Sequence, residues 1–124
     1  MRPLIVFSLC AVISLSAVEL AAAASTSPVA GAFGNTIIST YPDGRTGRLW
    51  LHADGSYSAK GRRGDLSSGR WTIKGPKICL KQAQPVSVPF SFCTPYGGSS
   101  VGSSWKGKAV TGEPTTIRLV QGQG

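Results

Sequence analysis

Beyond residue 24 the chain carries one histidine, four carboxylates and two cysteines, so the chemistry open to it is narrow. His52 lies two residues before Asp54, and no Gly-x-Ser-x-Gly turn presents a nucleophile, which removes the serine-hydrolase arrangement. Asp43, Asp54 and Asp65 each stand next to a glycine. Short carboxylates are favoured there because they bond nearby backbone N–H groups. With Glu113 they make no pair suited to general acid and base work. No His, Cys or carboxylate spacing matches a zinc or calcium site, and the phosphate-loop patterns are absent. The reading is a non-enzymatic protein with no catalytic residue, no bound metal and no cofactor.

The cysteines take their meaning from the first segment. Met1-Arg2-Pro3 supplies one positive charge, Leu4 to Val18 is apolar apart from small serines, and Leu20 to Ala24 ends in alanines. This is the pattern of a secretory signal peptide over 1–24, cut after Ala24, with a later site after Ala32 as the alternative. A run of about 15 apolar residues is short for a hydrocarbon core ~30 Å thick, which favours removal over membrane anchoring. No later segment is apolar enough to span a bilayer. Cys10 leaves with the signal, and export to an oxidising compartment, periplasmic or extracellular, makes Cys79 and Cys93 an expected disulfide. Closing a loop of that length contributes roughly 3 kcal/mol in the chain-entropy model.

Charge supplies the remaining chemistry. After Ala24 the chain holds 12 Lys and Arg against 4 acidic residues. Such a field favours anionic partners: an anionic lipid or polysaccharide surface, with no specific nucleic-acid recognition expected. A tryptophan among cations offers a stacking platform, and the expected binding face is Arg48, Trp50, His52, Ser58, Lys60, Arg62, Arg63 and Arg70. Gly61-Arg62-Arg63-Gly64-Asp65 reads as an exposed polar loop, with a backbone anion nest as the alternative. The competing function is an inhibitor or accessory protein docking on another secreted protein through the Arg62-Arg63 loop or the Gly97 to Ser104 loop.

Elements that position these residues follow from turn signals recurring every 8 to 12 residues: Pro42-Asp43-Gly44, Asp54-Gly55, Gly61 to Gly64, Gly75-Pro76 and Gly97-Gly98. That spacing predicts an antiparallel all-β domain with almost no helix. One hairpin can be set in register. A three-residue connection, Ala53-Asp54-Gly55, places Gly55 in the left-handed region and pairs Leu51 with Tyr57 and Leu49 with Ala59. The inner face is then apolar, and Arg48, Trp50, His52, Ser56, Ser58 and Lys60 face outward. The alternation continues with Trp71, Ile73, Ile78, Leu80, Phe90 and Phe92 inward, which sends Cys79 and Cys93 to the same outer side.

Leu, Ile, Val and Phe make up 19 of the 100 residues after Ala24, enough for one small core only. The expected organisation is a lead-in over 25–34, read as flexible, a β-domain over 35–121 and a tail over 122–124. Seven or eight short strands in a meander need protected edges, so a single closed or nearly closed barrel is predicted, with a two-sheet sandwich as the alternative.

Gly34-Asn35-Thr36, Asp54-Gly55-Ser56-Tyr57, Gly69-Arg70-Trp71 and Lys77-Ile78-Cys79-Leu80 together resemble a group of small exported proteobacterial proteins of unknown function. The resemblance runs from Gly34 to Cys93 and rests on turn and core residues. It implies a β-domain of the bacterial envelope and no activity. Peptide mapping of the non-reduced exported protein should recover Cys79 and Cys93 in one linked fragment; two unlinked thiols would overturn the pairing.

Overall fold

The computed structural model describes residues 27–123, so the expected signal segment lies outside the described residues. A short 3-10 turn, Ala30–Ala32, precedes eight strands: β1 Thr36–Thr40, β2 Thr46–Leu51, β3 Ser56–Lys60, β4 Leu66–Lys74, β5 Lys77–Gln84, β6 Phe92–Pro95, β7 Ser104–Lys108 and β8 Pro114–Val120. They form one antiparallel sheet in the order β6-β5-β4-β3-β2-β1-β8-β7, curled into a nearly closed barrel. Among the described residues no helix is long and apolar enough to cross a membrane.

The hairpins are built from one device used four times. In the turns spanning 41–45, 52–56, 61–65 and 109–113, the first residue's N–H reaches the fifth residue's carbonyl at 2.8–2.9 Å. The fourth residue is glycine at φ between +84° and +92°, where a side chain would be strained. The register is therefore set by glycine position. Leu51 pairs with Tyr57 and Leu49 with Ala59, as the alternation demands, and Trp50 faces Ser58 on the outer side.

The seam of the barrel lies between β6 and β7, the two edges of the sheet. Side chains close it where ladder hydrogen bonds do not. The Trp105 indole N–H donates to the Pro95 carbonyl at 2.9 Å, and the Tyr96 ring meets Trp105 edge-on with centroids 5.2 Å apart. On β6, Cys93 stands directly opposite Cys79 of β5 and is bonded to it, and Cys79 is buried. The disulfide thus fastens one edge strand to its neighbour.

Core side chains gather at one end. Leu51, Tyr57, Ile78, Ile117 and Leu119 fill the lumen there, each no more than 5% exposed. Residues 27–34, within the stretch expected as a lead-in, pack beneath them. Val29 and Ala32 are fully buried, Phe33 lies against Trp71 at 5.9 Å, and Asn35 donates to the Gly31 carbonyl. This segment seals that end of the barrel.

Phe90 departs from the sequence expectation. It was expected to point inward from a strand, yet β6 begins at Phe92 and Phe90 is 59% exposed. The reason is the loop before it. Gln82 holds that loop back on β5, with its side-chain amide donating to the Val86 carbonyl and its own carbonyl accepting from Val88. Pro85 and Pro89 meanwhile remove two N–H donors that a longer strand would use.

Gly69 and Gly47 give contrasting tests of how tightly the wall is packed. A Cβ at Gly69 would lie 2.0 Å from the Lys81 carbonyl oxygen and 2.9 Å from the Tyr57 ring, whereas at Gly47 the nearest atoms are 3.5 Å away. Gly69→Ala should lower stability by about 1–3 kcal/mol. Gly47→Ala should be neutral or stabilising by up to about 1 kcal/mol, because a strand glycine is entropically unfavourable. Urea unfolding of the two variants checks both.

Candidate functional site

The barrel has two unlike ends. One is sealed by residues 27–34 and by the core above them. The other carries the turns 41–45, 61–65 and 109–113 and the β5–β6 loop, and a cavity of about 700 Å3 opens there. Its wall is apolar at depth, from Leu49, Tyr57, Leu80, Phe92 and Ile117. Nearer the opening the wall is lined by Ser39, Gly47, Ala59, Ser67 and Thr115. Small residues at inward positions leave the space unfilled.

The opening is rimmed by exposed apolar side chains. Leu66 is 68%, Phe90 59% and Val110 71% exposed, and all three line the cavity mouth; Val86, 64% exposed, stands on the same β5–β6 loop. Around them the turns and strand ends carry Arg45, Lys60, Arg62, Arg63 and Lys108 against Asp43, Asp65 and Glu113. The end is net positive.

Arg62 organises the opening rather than standing out from it. Its guanidinium donates to Glu113 at 2.8 Å, approaches Asp43 at 3.5 Å and stacks over the Tyr41 ring at 4.2 Å from the centroid. One side chain of the β3–β4 turn thereby ties down the β1–β2 and β7–β8 turns. Two of the amides that the anion-nest alternative would use are engaged within the turn, Gly61 with the Asp65 carbonyl and Gly64 with the Gly61 carbonyl. Arg63, the next residue, is exposed.

Of the expected outer face, Arg48, Trp50, Ser58, Lys60 and Arg70 lie on neighbouring strands with His52 at the end of β2, whereas Arg62 and Arg63 stand on the β3–β4 turn, and several of its polar groups engage one another. Trp50 is half-buried, and its indole N–H donates to Thr36 Oγ1 at 3.0 Å. The Thr36 hydroxyl in turn donates to the Gly122 carbonyl. His52 meets Ser58 at 3.2 Å, and Arg70 donates to the Asp54 carbonyl at 3.1 Å. Arg48 and Lys60 belong to this face and also line the cavity mouth. They are the members shared by both surfaces.

The carboxylates act on their own neighbourhood. Asp54 accepts from the Ser56 hydroxyl and amide, which hold it below its usual range. Among the described residues no three His, Cys or carboxylate side chains converge. Burial pushes the Tyr57 phenol up, so it is a neutral hydroxyl in the cavity wall at neutral pH. Thr94 Oγ1 is the one buried side-chain oxygen without a partner among the described residues. It lies at the seam, where a Cβ on Gly107 of β7 would come within 3.0 Å of it.

The loop over Gly97 to Ser104, expected as an alternative docking element, packs inward at its start. Gly98 is buried, its carbonyl accepts from the Tyr96 hydroxyl, and Gly97 lies against Trp105. Ser100 and Ser103 then bond each other, leaving Val101 48% exposed.

Comparison with protein-family models, curated proteins and solved structures returns no match. The geometry of the open end is therefore what bears on function. The sequence reading missed Leu66, Phe90, Val110 and Lys108, although a signal was present. Leu66 directly follows one hairpin turn and Val110 lies within another, where exposed apolar residues have no packing role.

Glu113 offers a check on the rim. Its carboxyl is held below the usual range, first by the Thr111 hydroxyl and then by Arg62. A depressed folded value means that the stabilisation is present above the unfolded value and is lost as pH falls through the folded one. The Arg62 tie should therefore persist at neutral and mildly acid pH. In an NMR titration the Glu113 carboxyl carbon should move below the ordinary glutamate range, and Thr111→Val should bring it back up.

Proposed function

We propose that this chain is an exported, non-enzymatic binding domain of the bacterial envelope, and that it docks on an anionic lipid surface with the open end of its barrel. One observation carries this reading: among the described residues four of the five exposed large apolar side chains, Leu66, Val86, Phe90 and Val110, stand at the open end of the barrel, among five cations and three carboxylates. Exposed apolar groups clustered this way mark interaction sites. Apolar insertion combined with attraction to anionic headgroups is how peripheral proteins hold to a bilayer. The composition supports the same partner through a net charge of +8.

Relative to the sequence expectation, the site moves from the strand face around Trp50 to the barrel mouth, retaining Arg48 and Lys60. The support for the move is the engagement of Trp50, His52 and Arg70 in local hydrogen bonds. The disulfide suits an oxidising compartment without identifying one.

Sedimentation with vesicles tests the proposal. Binding to vesicles of phosphatidylglycerol and phosphatidylcholine should exceed binding to phosphatidylcholine alone and weaken with salt. Phe90→Ser combined with Val110→Ser should reduce affinity about tenfold, the loss of part of two buried apolar side chains. Trp50→Ala should leave it unchanged. Loss in Trp50→Ala with the mouth variant unaffected would return the site to the outer face.

A further inference from the structure

The lumen itself carries a second and independent inference. Apart from a register shift between β4 and β5 at Ser68 and Gly69 the strands alternate, so the inward positions can be read in layers from one end of the barrel to the other. At the sealed end they are Leu51 and Tyr57 on the β2–β3 hairpin, Ile73 and Ile78 on β4–β5, Trp105 on β7 and Leu119 on β8. At the open end the corresponding positions are Gly47, Ala59, Ser67, Ser39 and Thr115. The change from large to small occurs on β1, where Ile37 gives way to Ser39, and on β2, β3, β4, β7 and β8, with Gly107 the open-end residue of β7.

This layer is not small for want of room. A Cβ at Gly47 would meet only ordinary van der Waals neighbours at 3.5 Å, and Gly47 is not in the left-handed region. Gly107 is different, since a Cβ there would fall 2.5 Å from the Ile117 side chain. An eight-stranded barrel is wide enough either to be filled by its own side chains or to hold one small ligand. Here half of it is filled and half is not, and the unfilled volume of about 700 Å3 lies within the range of small-molecule sites.

The chemistry of the wall changes with height. Leu49, Leu80, Phe92 and Ile117 make an apolar floor, hydroxyls of Ser39, Ser67 and Thr115 follow above it, and the mouth is lined by Arg48, Lys60 and Lys108 with one carboxylate, Asp65. No cation lies at the floor, so a charged group is disfavoured there and favoured at the mouth. The geometry points to a ligand site for one single-chain anionic amphiphile, its aliphatic chain in the lumen and its carboxylate or phosphate head at the mouth, which Lys60 and Lys108 line from different walls. This does not depend on docking to a bilayer: a chain in the lumen is bound one per molecule, whether it comes from a membrane or from solution.

Calorimetric titration with dodecanoate, below its micelle concentration, tests the site. One equivalent should bind, butanoate should not, and dodecanol should bind more weakly. Lys60→Gln and Lys108→Gln should each cost dodecanoate about two- to fivefold and leave dodecanol unaffected. Ala59→Leu fills the lumen from its wall, so it should abolish binding of both chains while its thermal midpoint stays level or rises. Dodecyl phosphate in place of dodecanoate decides which head binds more tightly. Absence of saturation at one equivalent, or full affinity in a folded Ala59→Leu, overturns the lumen site; equal affinity for dodecanoate and dodecanol overturns the anionic head. Vesicle binding by Ala59→Leu separates the two proposals, because its persistence alongside lost dodecanoate binding leaves docking standing and assigns the lumen its own role.

Discussion

Closing eight short strands on themselves creates a lumen, and that lumen has to be dealt with by side chains, by a ligand or by solvent. Everything else in this protein follows from dealing with it unevenly. The chain has few large apolar residues after Ala24, and it spends them at one end. Tyr57 reaches into the space left by Gly69, Trp105 covers the seam, and the segment holding Val29 and Ala32 caps the result. A half-filled barrel is the outcome of a small core placed asymmetrically.

The open half needs another way to keep its shape. Without packed side chains between them, its turns are held from above by the Arg62 guanidinium on Glu113, Asp43 and the Tyr41 ring. Electrostatic and stacking contacts at the rim replace hydrophobic contacts in the lumen. They keep the turns apart from the floor while leaving the lumen accessible beside the β5–β6 loop. The disulfide does related work on β6, a four-residue edge strand that hydrogen-bonds to one neighbour only.

Much of this was legible in the sequence, for identifiable reasons. Period-two alternation and the glycine at the fourth place of each turn together determine register, and the pairing of Leu51 with Tyr57 and of Cys79 with Cys93 follows from them. What alternation leaves open is which side chains from distant strands share a level. Ser39, Gly47, Ala59, Ser67 and Thr115 are unremarkable one at a time and become a cavity only when the strands are laid side by side. Arg62 was grouped with the binding cations because its two counter-charges lie about 20 and 50 residues away in sequence. Trp50 was read as a platform because Thr36, which takes its indole proton, belongs to a different strand. Long-range polar pairing has no periodicity, and so no one-dimensional signature.

The place of β1 in the sheet has a consequence for how the barrel comes into being. It is the first strand among the described residues, yet it lies between β2 and β8, paired with Thr46–Leu51 on one side and with Pro114–Val120 on the other. Contacts of that sequence separation are entropically costly to bring together and slow to form. Until the last strand arrives, one side of β1 presents unpaired amides and carbonyls, an invitation to pair with a neighbouring chain. The hydrogen bonds that join Thr36 and Asn35 to Gly122 are formed in the same step, so the first and last strands lock together as one event. Assembly of the barrel is thereby made conditional on the whole chain, and its aggregation-prone interval lasts until β8 has found β1.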